Sequence, residues 1–212
     1  MDENRITRLA VQKKDPKRIN VYINNEFAFG LYRDTAAWLS VGQILSDEKI
    51  SALLAADHEN SAMQRAIEFI SYKSRTSEEV RSKLQVSGFD EDLIEKTIFK
   101  LSENGVLNDE EYAVQWVEDR LRLKPRSKRM LVYELRKKGI SDELIQSAVE
   151  DVDDYHSAYV IAESRLYRYV QLPKFEFRNK LGSYLAGKGY SFEVISETTQ
   201  KLWDKINNSS DG

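Results

Sequence analysis

The chain has no cysteine among its 212 residues, which removes disulfides, thiolate nucleophiles and cysteine metal sites together and fits a reducing, intracellular setting. Histidine is nearly as scarce. His58 and His156 are the whole supply, and neither has zinc-ligand spacing around it. No glycine-rich phosphate loop of the Walker type occurs. The charged stretch Met1 to Ala10 has no apolar core of signal-peptide length, and no uncharged apolar run approaches the ~20 residues that span a bilayer. The sequence therefore predicts neither export nor membrane insertion. With a net charge of −3, the chain is not a general polyanion binder, so any nucleic-acid contact requires segregated charge.

What is present is repetition. Gly88-Phe89-Asp90-Glu91-Asp92-Leu93-Ile94, Gly139-Ile140-Ser141-Asp142-Glu143-Leu144-Ile145 and Gly189-Tyr190-Ser191-Phe192-Glu193-Val194-Ile195 share one pattern, with glycines 51 and 50 residues apart (139 − 88 and 189 − 139). Periods of this size mark stacked supersecondary units. Leu84, Leu135 and Leu185 stand four residues before each glycine and Val80, Leu131 and Leu181 eight before, the stripe of one helix face. Each glycine sits where a helix end wants a left-handed residue. Asp90, Ser141 and Ser191 then read as N-caps of a following helix, whose apolar face continues through Ile98, Val149 and Thr199 to Leu101, Val152 and Leu202. An earlier helix is marked by Ala62, Ala66 and Ile70, by Ala113, Val117 and Leu121, and by Ala158, Ala162 and Leu166.

Each unit is thus three helices long. The expected limits are 58–104, 105–153 and 154–206, with a polar tail at 207–212. The third unit is looser, with five more residues before its glycine and Pro173 in the longer connection.

Residues 1–57 read differently. Ile19, Val21 and Ile23 alternate with polar or amphipathic residues, Asn24-Asn25 tolerates positive φ, and Phe27, Phe29 and Leu31 resume the alternation, predicting a hairpin. Ile6 to Val11 supplies a third strand, a helical stretch starts near Arg33, and Ser46-Asp47-Glu48-Lys49 starts another helix near Ile50 to Ala56. The fold class is mainly α: three three-helix repeats behind a small α+β cap.

Enzyme chemistry does not assemble from these residues, and no catalytic residue, metal ligand or cofactor is assigned. Asp109-Glu110-Glu111 reads as acids favouring a helix N-terminus. Basic residues are more informative: Arg122 to Lys138 holds eight cations against Glu134. Arg136, Lys137 and Lys138 suit the negative end of their helix. Arg126, Lys128 and Arg129 surround Ser127, an expected N-cap, and so place positive charge where a helix prefers anions. Such a set points to a ligand, either an acidic protein surface or phosphate. Lys124 and Arg122 adjoin it, and Arg75, Arg81, Lys83, Arg136, Lys137, Arg178 and Lys180 are further binding candidates. In the third repeat, Tyr155, Tyr159, Ala162, Leu166 and Tyr169 fall on one helical stripe and read as core, whereas Tyr167, Phe175 and Phe177 stay open as base-stacking candidates.

Ser77-Glu78-Glu79-Val80-Arg81-Ser82-Lys83-Leu84, Asp109-Glu110-Glu111-Tyr112-Ala113 and Tyr133-Glu134-Leu135-Arg136-Lys137-Lys138-Gly139-Ile140 resemble the RecX family, bacterial regulators of the RecA recombinase. The hairpin around Asn24-Asn25 resembles the N-terminal extension of its longer members, so the resemblance covers residues 5 to 203. It departs at Lys124-Pro125-Arg126, where family members often carry glycine. The resemblance implies a non-enzymatic modulator, most often an inhibitor, that binds RecA polymerised on single-stranded DNA and alters ATP hydrolysis, filament assembly and strand exchange. The expected form is a cytoplasmic monomer, with weak direct DNA contact as a secondary expectation. Two alternatives stand beside it: a direct DNA-binding helical protein and a helical adaptor for another partner.

Overall fold

The computed structural model describes residues 3–208. The expected tail at 207–212 begins inside the last helix, and its final four residues, 209–212, lie outside the described residues. The chain divides into two compact units, Met1–Ser74 with Val80–Val106 and Arg75–Glu79 with Leu107–Gly212.

The first unit opens with an antiparallel sheet of β1 (Asn4–Val11), β2 (Arg18–Ile23), β3 (Glu26–Tyr32) and β4 (Ile44–Leu45), ordered β3-β2-β1-β4. Asn24 and Asn25 have φ of 50° and 70°, as the predicted hairpin turn requires. Ile6, Val21 and Leu31 form its buried face. Phe27 departs from the expected alternation. Val21 pairs with Phe29 but Tyr22 pairs with Phe27, so Ala28 is an extra residue that turns Phe27 to the opposite face.

Two helical expectations are corrected here. From Arg33 to Trp38 the chain forms turns, with Ala36 N–H bonded to Tyr32 O at 3.0 Å. The helix does not continue because the chain must return Gln43 to Ile6, whose N–H donates to its carbonyl at 2.8 Å. That return also forms β4, which its two-residue length hid from periodicity. The second correction is that one helix, α1 (Asp47–Ser71), replaces the expected cap helix and first repeat helix and crosses the expected boundary at 57/58. No glycine or proline interrupts it. Its early turns bury Leu53 against the sheet, and its later turns bury Ala62 and Ala66. Asp57 ties it to the hairpin, accepting from Arg18 Nη2 at 2.7 Å and from Tyr32 N–H at 2.5 Å. The repeat helices α2 (Ser77–Val86) and α3 (Glu91–Glu103) follow, α2 crossing the division between the units.

The second unit holds α4 (Asp109–Leu123), α5 (Lys128–Arg136) and α6 (Asp142–Ala148), then α7 (Asp154–Glu163), α8 (Lys174–Ala186) and α9 (Phe192–Asn208). The longer third-repeat connection contains a 3-10 turn at Leu166–Arg168, so the expected aromatic stripe is broken after Glu163. Tyr159, Leu166 and Tyr169 still pack on the core, whereas Tyr155 is exposed.

All three corners have the predicted geometry. Gly88, Gly139 and Gly189 have φ of 87°, 77° and 93°. The next residues, Phe89, Ile140 and Tyr190, donate their N–H to Leu84, Leu135 and Leu185 at 3.3, 3.2 and 3.4 Å, the closing bond of a Schellman motif. Asp90, Ser141 and Ser191 accept from Leu93, Leu144 and Val194 N–H as N-caps. Those three leucines, with Val80, Leu131 and Leu181, are wholly buried. Burial of each such side chain is worth about 1.5–3 kcal/mol relative to exposure. Thr199 fits the buried face because its hydroxyl donates to Ile195 O at 2.8 Å.

Candidate anion-binding surface at the second repeat joint

The corners are also where successive repeats meet. Ser127, the N-cap of α5, is fully buried: its Oγ accepts from Met130 N–H at 3.3 Å, and its own N–H donates to Lys188 O at 3.2 Å. Lys188 directly precedes Gly189. A Cβ on Gly189 would stand 2.6 Å from Ser127 Oγ and 3.1 Å from Met130 Cβ, so this glycine permits close approach as well as positive φ. At the preceding joint Thr76 Oγ1 donates to Lys138 O at 2.7 Å, and a Cβ on Gly139 would overlap Glu78. Gly88, with no repeat before it, has nothing within 4 Å of that position.

A carboxylate completes each joint. Asp109 Oδ1 accepts from Ser77 N–H at 2.9 Å, and Asp154 Oδ1 from Lys128 N–H at 2.7 Å. The first residue of the next repeat therefore supplies the acid that the first turn of α5 lacks. Burial holds the Asp154 carboxyl above its ordinary value, with Asp153 adding to the shift and the Lys128 amide opposing it.

The expected trio of Arg126, Lys128 and Arg129 does not converge on this helix end. Lys128 Nζ donates to Glu150 O at 3.1 Å. Arg129 is exposed and has no ion pair among the described residues. Arg126 is half-buried, with a buried Nε that lacks a hydrogen bond among the described residues; Glu134 Oε1 lies 3.8 Å away but already receives bonds from Trp116 and Arg120 through its other oxygen.

Arg126 instead groups with Lys188, Arg165 and Lys124. Arg165 lies 4.3 Å and the Lys188 ammonium 5.4 Å from the centre of the Tyr184 ring. Burial, then the positive charges of Arg126, Arg165 and Lys124, hold Lys188 below the ordinary lysine value. Among the described residues no carboxylate pairs with Lys188, Arg165 or Lys124. Lys138 at the first joint has the opposite surroundings. Its ammonium is 3.1 Å from Glu79, and although burial would lower it, Tyr112 and Glu79 carry it above the ordinary value. Three residues after Thr76 the chain has Glu79, whereas three after Ser127 it has Met130. The second joint is left cationic by that exchange.

Sequence reasoning passed over Tyr184, Lys188 and Arg165 as binding residues. The available signal was Lys188 at the corner position of Lys138 with no acid in the place of Glu79.

Other candidates have local roles. Arg122 pairs with Asp119 at 2.6 Å, Arg136 with Asp142 at 2.8 Å and Lys180 with Glu176 at 3.9 Å. Arg81 grips Glu95 through two bonds of 2.7 and 3.0 Å, and Arg178 reaches Ser196 Oγ at 3.4 Å. Lys137 and Lys83 each stand 5.8 Å from a ring, Tyr133 and Phe69 respectively, while Arg75 is half-buried before Thr76. Phe177 is corrected as a stacking candidate: it is 0% exposed, with its ring 5.3 Å from that of Trp203. Tyr167 and Phe175 are 70% and 77% exposed. Among the described residues no three histidine or acidic side chains cluster as metal ligands, and no helix is long and apolar enough to cross a membrane.

Corner-to-cap joints between three-helix units behind a small sheet define a class, the tandem three-helix-repeat proteins. In particular, the chain belongs to the RecX family. Residues 4–46 match the regulatory protein RecX N-terminal domain, and 62–101, 108–149 and 151–199 match the first, second and third RecX three-helix domains. It is 31% identical to regulatory protein RecX of Clostridium acetobutylicum, over 98% of this chain and 100% of the relative. To that of Bacillus subtilis it is 29% identical, over 93% and 76% respectively. A crystal structure of regulatory protein RecX matches with a TM-score of 0.70, 24% identity and coverage of 93% of this chain and 99% of the other. That of RecX from Lactobacillus salivarius matches with a TM-score of 0.63, 29% identity and coverage of 69% and 97%. The curated relatives are named regulatory proteins.

Proposed function

We propose that this chain is a non-enzymatic regulator of RecA recombinase that binds the RecA filament on single-stranded DNA and restrains its ATP hydrolysis, assembly and strand exchange in the bacterial cytoplasm. The observation that carries the binding surface is the cation group of Arg126, Lys188, Arg165 and Lys124, in which, among the described residues, only Arg126 has a carboxylate beside it, Glu134 at 3.8 Å. Four cations with one carboxylate among them keep a net positive charge and gain from an incoming anionic surface. Neutral repeat joints do not require such a group, as Lys138 with Glu79 shows. The glycine-following helices begin with Glu91-Asp92, Asp142-Glu143 and Glu193, acids unsuited to entering a phosphate-lined groove. The filament reading therefore stands ahead of major-groove recognition.

RecA-dependent ATP hydrolysis on single-stranded DNA, measured with and without the chain, tests this function. A lowered rate of hydrolysis is the expected result. An unchanged rate at saturating concentration, with no change in filament lifetime, would overturn it.

A further inference from the structure

The outer face of the N-terminal sheet carries a second group of basic and aromatic side chains, distinct from the repeat joint. Two bulges converge on Tyr22. On β1, Ile6 pairs with Ile23 and Arg8 with Tyr22, leaving Thr7 as an extra residue. On β3, Ala28 is the extra residue and Phe27 pairs with Tyr22. Thr7 occupies its bulge, with Oγ1 donating to Tyr22 O at 3.3 Å and accepting from Asn25 N–H at 2.9 Å. Bulges re-aim side chains, and these two align Arg8, Tyr22 and Phe27 across three strands. The Arg8 guanidinium lies 3.7 Å from the Tyr22 ring centre, and the Tyr22 and Phe27 rings meet edge to face at 5.9 Å.

Regular alternation would have placed Phe27 with Phe29 and Leu31 against the core. The bulge leaves it 59% exposed instead, on β3, an edge strand of the sheet. Lys13 and Lys14, in the β1–β2 connection, border the same open depression with Arg8 and Asn20, and no acidic side chain among the described residues lines it. Three cations on a chain of net charge −3 are the segregated positive charge that a polyanion needs. A strand-borne aromatic beside them adds a stacking surface for a base, which a simple acidic peptide would leave unused.

We propose that this face binds single-stranded nucleic acid, with Phe27 stacking on a base and Arg8, Lys13 and Lys14 holding backbone phosphates. This goes beyond the regulatory reading, because it is a property of the chain without RecA.

The experiment titrates full-length chain into a fluorescent oligothymidine at several salt concentrations and reads anisotropy. Phe27→Ala is expected to weaken binding about 5- to 150-fold, the range for one stacked base, while Phe27→Tyr restores it. Lys13→Gln with Lys14→Gln is expected to lower the slope of log affinity against log salt by about 1.4, near 0.7 per lost phosphate contact. Circular dichroism reports retention of the fold by these surface variants. Unchanged affinity and slope in all of them, or displacement of the oligonucleotide by polyglutamate at equal charge concentration, would overturn the proposal. The RecA assay is run in parallel. Failure to affect RecA refutes the regulatory reading alone, and failure of the oligonucleotide series refutes this proposal alone.

Discussion

Ser127 donates its backbone N–H to the carbonyl of Lys188 at 3.2 Å, joining the cap of one helix to the corner of another 61 residues on (188 − 127). This bond puts Gly189 against the Ser127 hydroxyl and Arg126 beside a lysine that pairs with no acid among the described residues. Stability and binding therefore meet at one joint.

The glycine corners should differ in tolerance even though all three have positive φ. Gly88→Ala should cost about 1–2 kcal/mol, the left-handed penalty alone. Gly189→Ala should cost more, because its Cβ would also meet Ser127 Oγ at 2.6 Å. Urea unfolding followed by circular dichroism checks the order, and equal losses would remove close approach as a role of Gly189.

Asp154 caps α5 from the next repeat, so losing its acceptor differs from losing its charge. Asp154→Ala should destabilise by about 0.5–2 kcal/mol, as loss of a helix cap does. Asp154→Asn keeps an acceptor for Lys128 N–H and should be close to neutral at pH 7. The native carboxyl titrates above its unfolded value, so it takes up a proton first as pH falls. Its contribution to stability therefore declines as pH rises through that interval. Relative to Asp154→Asn, the parent chain should gain stability on acidification through that interval, measured by thermal unfolding across pH.

Met130→Glu would place an acid where the first joint has Glu79. It is expected to raise the Lys188 pKa and to leave the fold intact, because Met130 is half-buried. Under the proposed function it should also weaken inhibition of RecA ATP hydrolysis several-fold, as should Arg165→Gln with Lys188→Gln. Full inhibition by both variants would separate the cation group from RecA.

Three rings of the third repeat make a direct comparison. Phe177→Ala should cost about 3–5 kcal/mol by opening the core beside Trp203. Phe175→Ala and Tyr167→Ala should stay within about 0.5 kcal/mol, since both rings are largely exposed. Chemical denaturation of the three variants tests the assignment.

The repeat itself was legible because its signals are local. A left-handed backbone at Gly139 needs glycine, a cap at Ser141 needs a short polar side chain, and Leu131 with Leu135 falls on one face by helical geometry. Hairpin turn residues Asn24 and Asn25 were legible for the same reason. Phe27 was misread because a bulge is a property of strand pairing, not of the alternation within one strand. Asp57 was missed since its partners, Arg18 and Tyr32, lie 39 and 25 residues away.

The amino-acid sequence by itself determined the three-helix period, the glycine corners, the caps and the buried leucine stripe, all set by neighbours within a turn or two. Only tertiary structure decided that α1 is one helix, that Asp154 serves α5, and that Arg126 joins Arg165 and Lys188 at a joint rich in cations. Contacts between residues so distant along the chain depend on how helices pack, and the local pattern of either segment leaves that open.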